Sequence, residues 1–101
     1  MKTFFIRRKG NWANAAELSH TANVSARVGN EEMPNHVRWI RSYVVREDDG
    51  RLGTVCIYQG TDEAAIREHA RRAGMSADEV LPIGETVVVR EDPVDDEARI
   101  S

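Results

Sequence analysis

The side chains with chemistry to offer crowd into one stretch, VRWIRSYVVREDDGRLGTVCIYQGTDEAAIREHARRAGMSADEVLP, which runs from Val37 to Pro82. Imidazole and thiolate ligands suit nickel, copper or zinc. His69 and Cys56, with Glu68 as the adjacent carboxylate, are therefore the candidate metal ligands. Each of the first two has a plainer role available: His69 as a core histidine bonded to the sheet, Cys56 as a small buried hydrophobe. His20 and His36 complete the imidazole census. Glu17-x-x-His20 has a helical i, i+3 spacing that can bring both groups to one metal. Glu17 is equally placed to serve the start of that helix, and His36 falls in a connector. No four-ligand set emerges from one chain, so a metal site would be weak, completed by water, or shared between subunits. No nucleophile–base triad, phosphate loop or zinc-ligand spacing occurs.

Trp39, Arg41 and Tyr43 alternate along a strand-like run and so are expected to share one face. Such a face offers aromatic walls and one cation, which suits a small organic anion. It serves equally as an aromatic subunit interface. If Tyr43 pairs opposite Cys56, phenol and thiol lie side by side; a slip of one residue puts Ser42 there instead.

The 101 residues make one domain, with 41% hydrophobic and 31% charged residues and a formal net charge of −3. That charge and the interspersed acids and bases argue against nucleic-acid binding, which needs a basic face. Arg7-Arg8-Lys9 and Arg71-Arg72 are read as solvated element ends. A single cysteine excludes an intrachain disulfide. The apolar run Phe4-Phe5-Ile6 is too short for a secretory signal, and no stretch approaches a membrane span, so the chain is read as cytoplasmic.

The elements that must position these side chains follow from periodicity. Lys2–Arg8 reads as a strand covered on both faces, broken by Gly10-Asn11. Asn14-x-x-Glu17 opens a helix whose stripe of small residues, from Ala15 to Gly29, implies close packing. Val37–Arg46 and Thr54–Gln59 are strands around a turn holding Asp49-Gly50. A helix capped at Thr61 follows, with Ile66, His69, Ala70 and Ala73 on one face and Gly74 at its end; Trp12 staples the first helix. Ser76–Glu79 reads as a further helical turn and Leu81–Arg90 as the last strand.

The order βαββαβ predicts an α+β, ferredoxin-like fold, a four-stranded antiparallel sheet with both helices on one face. Residues 1–92 form the domain and 93–101 an acidic tail. The uncovered sheet face, bearing tryptophan, tyrosine and valine, calls for a second copy, so a homodimer closing an α/β barrel is expected.

The central stretch resembles the DUF4242 family of nickel-responsive, nickel-binding-like proteins. The match runs through Trp39-x-x-Ser42-Tyr43-Val44, Cys56-x-Tyr58, the run from Glu63-Ala64 through His69 to Gly74, then Ala77-Asp78 and Pro93. The resemblance implies a ferredoxin-like subunit in a dimeric barrel and binding of nickel or another divalent transition metal. The chain departs from the family pattern in a longer hairpin turn, Arg46–Gly53, and an extended acidic C-terminus. Three readings compete: a metal-binding protein using His69 and Cys56; a dimeric-barrel enzyme, of monooxygenase or isomerase kind, with His69 as base; and a ligand-free interaction module.

Overall fold

The computed structural model describes residues 1–94. It contains β1 (Lys2–Trp12), α1 (Ala15–Arg27), a π-helical turn (Val28–Glu32), β2 (Val37–Arg46), β3 (Leu52–Gly60), α2 (Glu63–Ala73) and β4 (Glu79–Pro82). All pairings are antiparallel, in the order β2-β3-β1-β4. This is the expected ferredoxin-like α+β sheet. No described helix is long and apolar enough to cross a membrane.

Alternation along the strands sends Phe4, Ile6, Arg8 and Trp12 of β1, and Thr54, Cys56 and Tyr58 of β3, to the buried side. There Phe4, Ile6, Cys56 and Tyr58 meet Val28, Val37 and Ile66 in one apolar core. Burying a side chain such as Ile66, 1% exposed, contributes roughly 1.5–3 kcal/mol. Asn14 caps α1 by accepting from Glu17 N–H at 3.0 Å, and Glu17 reaches back to Ala13 N–H at 2.9 Å. In α2 the cap is Asp62 rather than Thr61, accepting from Ala65 N–H at 2.8 Å. Its face of Ile66, His69, Ala70 and Ala73 is buried as the spacing requires, and Gly74 ends it at φ 76°. Trp12 does tie to α1, donating to Thr21 Oγ1 at 2.9 Å.

Four further expectations need correction. First, β1 does not stop at Arg8. It runs on to Trp12 across a bulge at which Gly10 takes φ 55°. Arg7 and the Gly10 N–H converge there on the Glu47 carboxylate, at 2.7–3.0 Å.

Second, Ser76–Glu79 makes no helical turn. Its polar groups bond the bulge instead: Ser76 N–H to Asn11 Oδ1 at 2.8 Å, and Asp78 Oδ2 to Lys9 N–H at 2.7 Å.

Third, the last strand spans four residues, not Leu81–Arg90. β4 runs antiparallel toward the start of β1, pairing Phe4 with Pro82, so β1 is exhausted within two further residues. Ile83 N–H makes one more bond, to Thr3 O at 2.8 Å, and Val87–Val89 have no strand to join. Residues 83–92 instead pass the open side of the sheet, where Asp92 bonds Arg41 and Tyr43. The acidic tail expected from residue 93 lies, from residue 95 onward, outside the described residues.

Fourth, α1 does not pack closely along its small-residue stripe. Ser25 is its one buried residue, and a cavity lies beneath the helix.

Candidate functional site

The geometry of the site is decided by one extra residue in β2. Trp39 pairs with Tyr58 and Arg41 with Ile57, leaving Ile40 as a bulge with no partner. An inserted residue inverts the alternation. Trp39 therefore turns to the helix side, while Arg41 and Tyr43 turn to the open side, contrary to the shared face expected for the three. The same bulge settles the register at Cys56, which sits opposite Ser42, with Tyr43 opposite Val55.

On the helix side, the small residues of α1 leave a cavity of about 490 Å³. Its outer lip carries Trp39 and Val44, both 40% exposed, and its inner end is closed by buried Arg8, Thr54, Cys56 and Tyr58. Cys56 Sγ accepts from Ser42 Oγ at 3.0 Å and donates to Thr54 Oγ1 at 3.2 Å. The Trp39 and Tyr58 rings stack at 5.9 Å with 5° between planes. The Tyr58 hydroxyl meets Ser25 Oγ at 2.9 Å. Loss of water around this phenol pushes its pKa up to about 12, so it stays neutral and can donate.

His69 lies behind Tyr58, 1% exposed, with its Nε2 3.1 Å from Ser25 O. A carbonyl only accepts, so Nε2 carries the proton. Burial lowers the His69 pKa, the Ser25 carbonyl opposes that, and Arg8 lowers it further. The bond that buried His69 makes is thus to a helix carbonyl, where a sheet group was the expected partner. It lines a separate pocket of about 130 Å³ with Ser25, Gly29 and Tyr58. Glu68, one residue earlier, turns away from the core toward Arg71 and Arg72, whose bonds at 2.7–2.8 Å pull its carboxyl down to about 2. His69, Cys56 and Glu68 are thus not brought to one point. Among the described residues no three His, Cys, Asp or Glu side chains converge.

On the open side, Arg41 Nη1 lies 3.1 Å from Asp92 Oδ2 and the Tyr43 hydroxyl donates to the same oxygen at 2.8 Å. Arg41, Tyr43 and Ile57 line a second cavity there, of about 530 Å³, against residues 83–88. His20 and His36 are both exposed.

The residue missed in the sequence is Arg8. Read as part of a solvated basic cluster, it is 0% exposed. The available signal is its phase: Phe4, Ile6 and Arg8 alternate on one face. Its Nη1 donates to Ser76 O at 2.6 Å, and its Cζ lies 5.8 Å from the Tyr58 ring centroid. Its Nε and Nη2 are buried with no partner.

Comparison with solved structures finds a match to SCO4226 from Streptomyces coelicolor A3(2), at TM-score 0.65 and 17% identity, covering 84% of this chain and 99% of that one. At that identity the likeness concerns the fold. No curated protein matches the chain. The family model described as nickel responsive protein SCO4226-like matches residues 4–83, which takes in both helices, β2 to β4, β1 from Phe4 onward and every residue of the cavity's inner end. On that match the chain belongs to the SCO4226-like family of nickel responsive proteins.

Proposed function

We propose that the protein binds a nickel-type divalent transition metal in the cytoplasm and does so as a homodimer. The observation that carries this reading is the family match over residues 4–83. The donors of one chain do not fit a closed nickel site, because no three converge among the described residues. The site is therefore a weak one completed by water, with Cys56 the donor on the cavity side and His69 retained in the core. Exposed apolar surface supports the homodimer: Tyr43, Leu81 and Val87–Val89 stand on or beside the open side of the sheet, beyond what a lone small chain usually shows.

Isothermal titration of nickel, copper and zinc into metal-free protein tests this, beside Cys56→Ala and His69→Ala and with light scattering for mass. Micromolar or tighter nickel binding by a dimer, lost in Cys56→Ala, is expected. No heat with any metal, or a monomer throughout, sinks it. A second reading, a dimeric-barrel protein that takes a small organic ligand, is favoured by the cavity of about 490 Å³ under α1.

A further inference from the structure

We propose that the cavity beneath α1 binds a small organic monocarboxylate through the free edge of Arg8. The inference rests on the cavity reading and requires no metal. A guanidinium offers its N–H groups along three edges. One nitrogen, Nη1, is taken by Ser76 O at 2.6 Å. The two left over, Nε and Nη2, are those whose N–H bonds run parallel on one edge. That edge matches the two oxygens of a carboxylate in a bidentate pair.

Buried donors in folded proteins are nearly always bonded, and among the described residues these two are the buried side-chain nitrogens without a partner. The charge points the same way. Among the described residues Arg8 has no carboxylate within ion-pair distance, although Arg7 beside it pairs with Glu47 at 2.7 Å. The Tyr58 ring beneath Arg8 softens the desolvation but supplies no counter-charge. A single carboxylate provides both missing acceptors and the one missing negative charge. A dianionic phosphate would need a second free cation beside Arg8, and the other cation lining the cavity, Arg41, is exposed and already paired with Asp92 at 3.1 Å. Outward from Arg8 the walls are Trp39, Leu18 and Ala22, which suit a planar or aromatic body of one or two rings.

The test is titration of the full chain, in chelator, with phenylacetate and with its neutral isostere phenylacetamide, read by calorimetry and by shifts of the indole and amide NMR signals. Phenylacetate is expected to bind about tenfold or more tightly than the amide, moving signals of Trp39 and Tyr58. Arg8→Met should abolish that preference, and Ala22→Phe, which fills the cavity and leaves Arg8 in place, should weaken both probes. Equal affinity of acid and amide overturns the carboxylate assignment and leaves the cavity reading standing. A preference that survives Arg8→Met overturns the role of Arg8. Binding of neither probe at millimolar concentration overturns the cavity reading as well. The comparison of the two probes on the native chain decides the matter even if the methionine variant does not fold.

Discussion

Replacing Arg8 by methionine should make the ligand-free protein more stable. The side chain is 0% exposed, carries one hydrogen bond, to Ser76 O, and lies over the Tyr58 ring. Removing it forfeits that charged bond, about 1.5–3 kcal/mol, and the cation–π contact, about 0.5–2 kcal/mol. On the other side, two buried N–H groups go unbonded, each a penalty of about 1–3 kcal/mol, and the desolvated charge adds several kcal/mol more. Methionine is close in volume and flexible enough to fill the space. The net expectation is a gain of about 1–3 kcal/mol, in line with other buried ions replaced by apolar groups. For a chain of this size that raises the melting temperature by very roughly 5–20 °C. Urea unfolding followed by far-UV circular dichroism at neutral pH, with unchanged m-values, measures it. Saturating phenylacetate should stabilise the native chain more than phenylacetamide does, and the variant to the same extent with either, since a ligand adds stability in proportion to its binding to the folded state. A variant less stable by about 1 kcal/mol or more would refute the reasoning, because the single bond and the ring contact would then suffice to hold the charge.

Two further expectations are simpler. Burial holds the His69 pKa below its ordinary 6.5, so the unfolded chain takes up a proton that the folded chain refuses. Stability from this group is complete above pH 6.5 and is lost as pH falls through the lower folded value. Urea midpoints measured from pH 7.5 down to about 5 should fall in the native chain and stay flatter in His69→Gln; parallel curves would show that His69 does not set the slope. Gly53→Ala should destabilise by about 1–3 kcal/mol, the usual penalty of overpacking, which thermal unfolding can read. A Cβ there would lie 2.5 Å from Arg8 O and 2.7 Å from Arg7 Nη1, and would strike the Glu47 carboxylate that ties the β1 bulge to the hairpin. Unaltered stability would mean that this cluster yields without loss.

Much of the fold was legible because it follows from local chemistry. Asn14 and Glu17 cap α1, the three-and-four spacing buries Ile66, His69, Ala70 and Ala73, and Gly50 and Gly74 take the left-handed backbone their positions require. The candidate site was legible only in part. Cys56 and Trp39 do line a cavity, and the expected cation does stand within reach of it, but the structure favours a different arginine. The error came from counting two residues per face through Ile40, where the strand bulges.

What the sequence by itself determined, then, is the set of elements, their order and their buried faces, since periodicity and capping act over a few neighbouring residues. Where β4 ends was decided by the length of β1, a strand more than seventy residues earlier in the chain. Which of Trp39, Arg41 and Tyr43 face the helices was decided by how β2 registers against β3. That Arg8 is buried beside Tyr58, under a helix too slender to fill the space above it, needed the whole packing of sheet against helices. Register and packing are sums over residues distant in the chain, and no local pattern carries them.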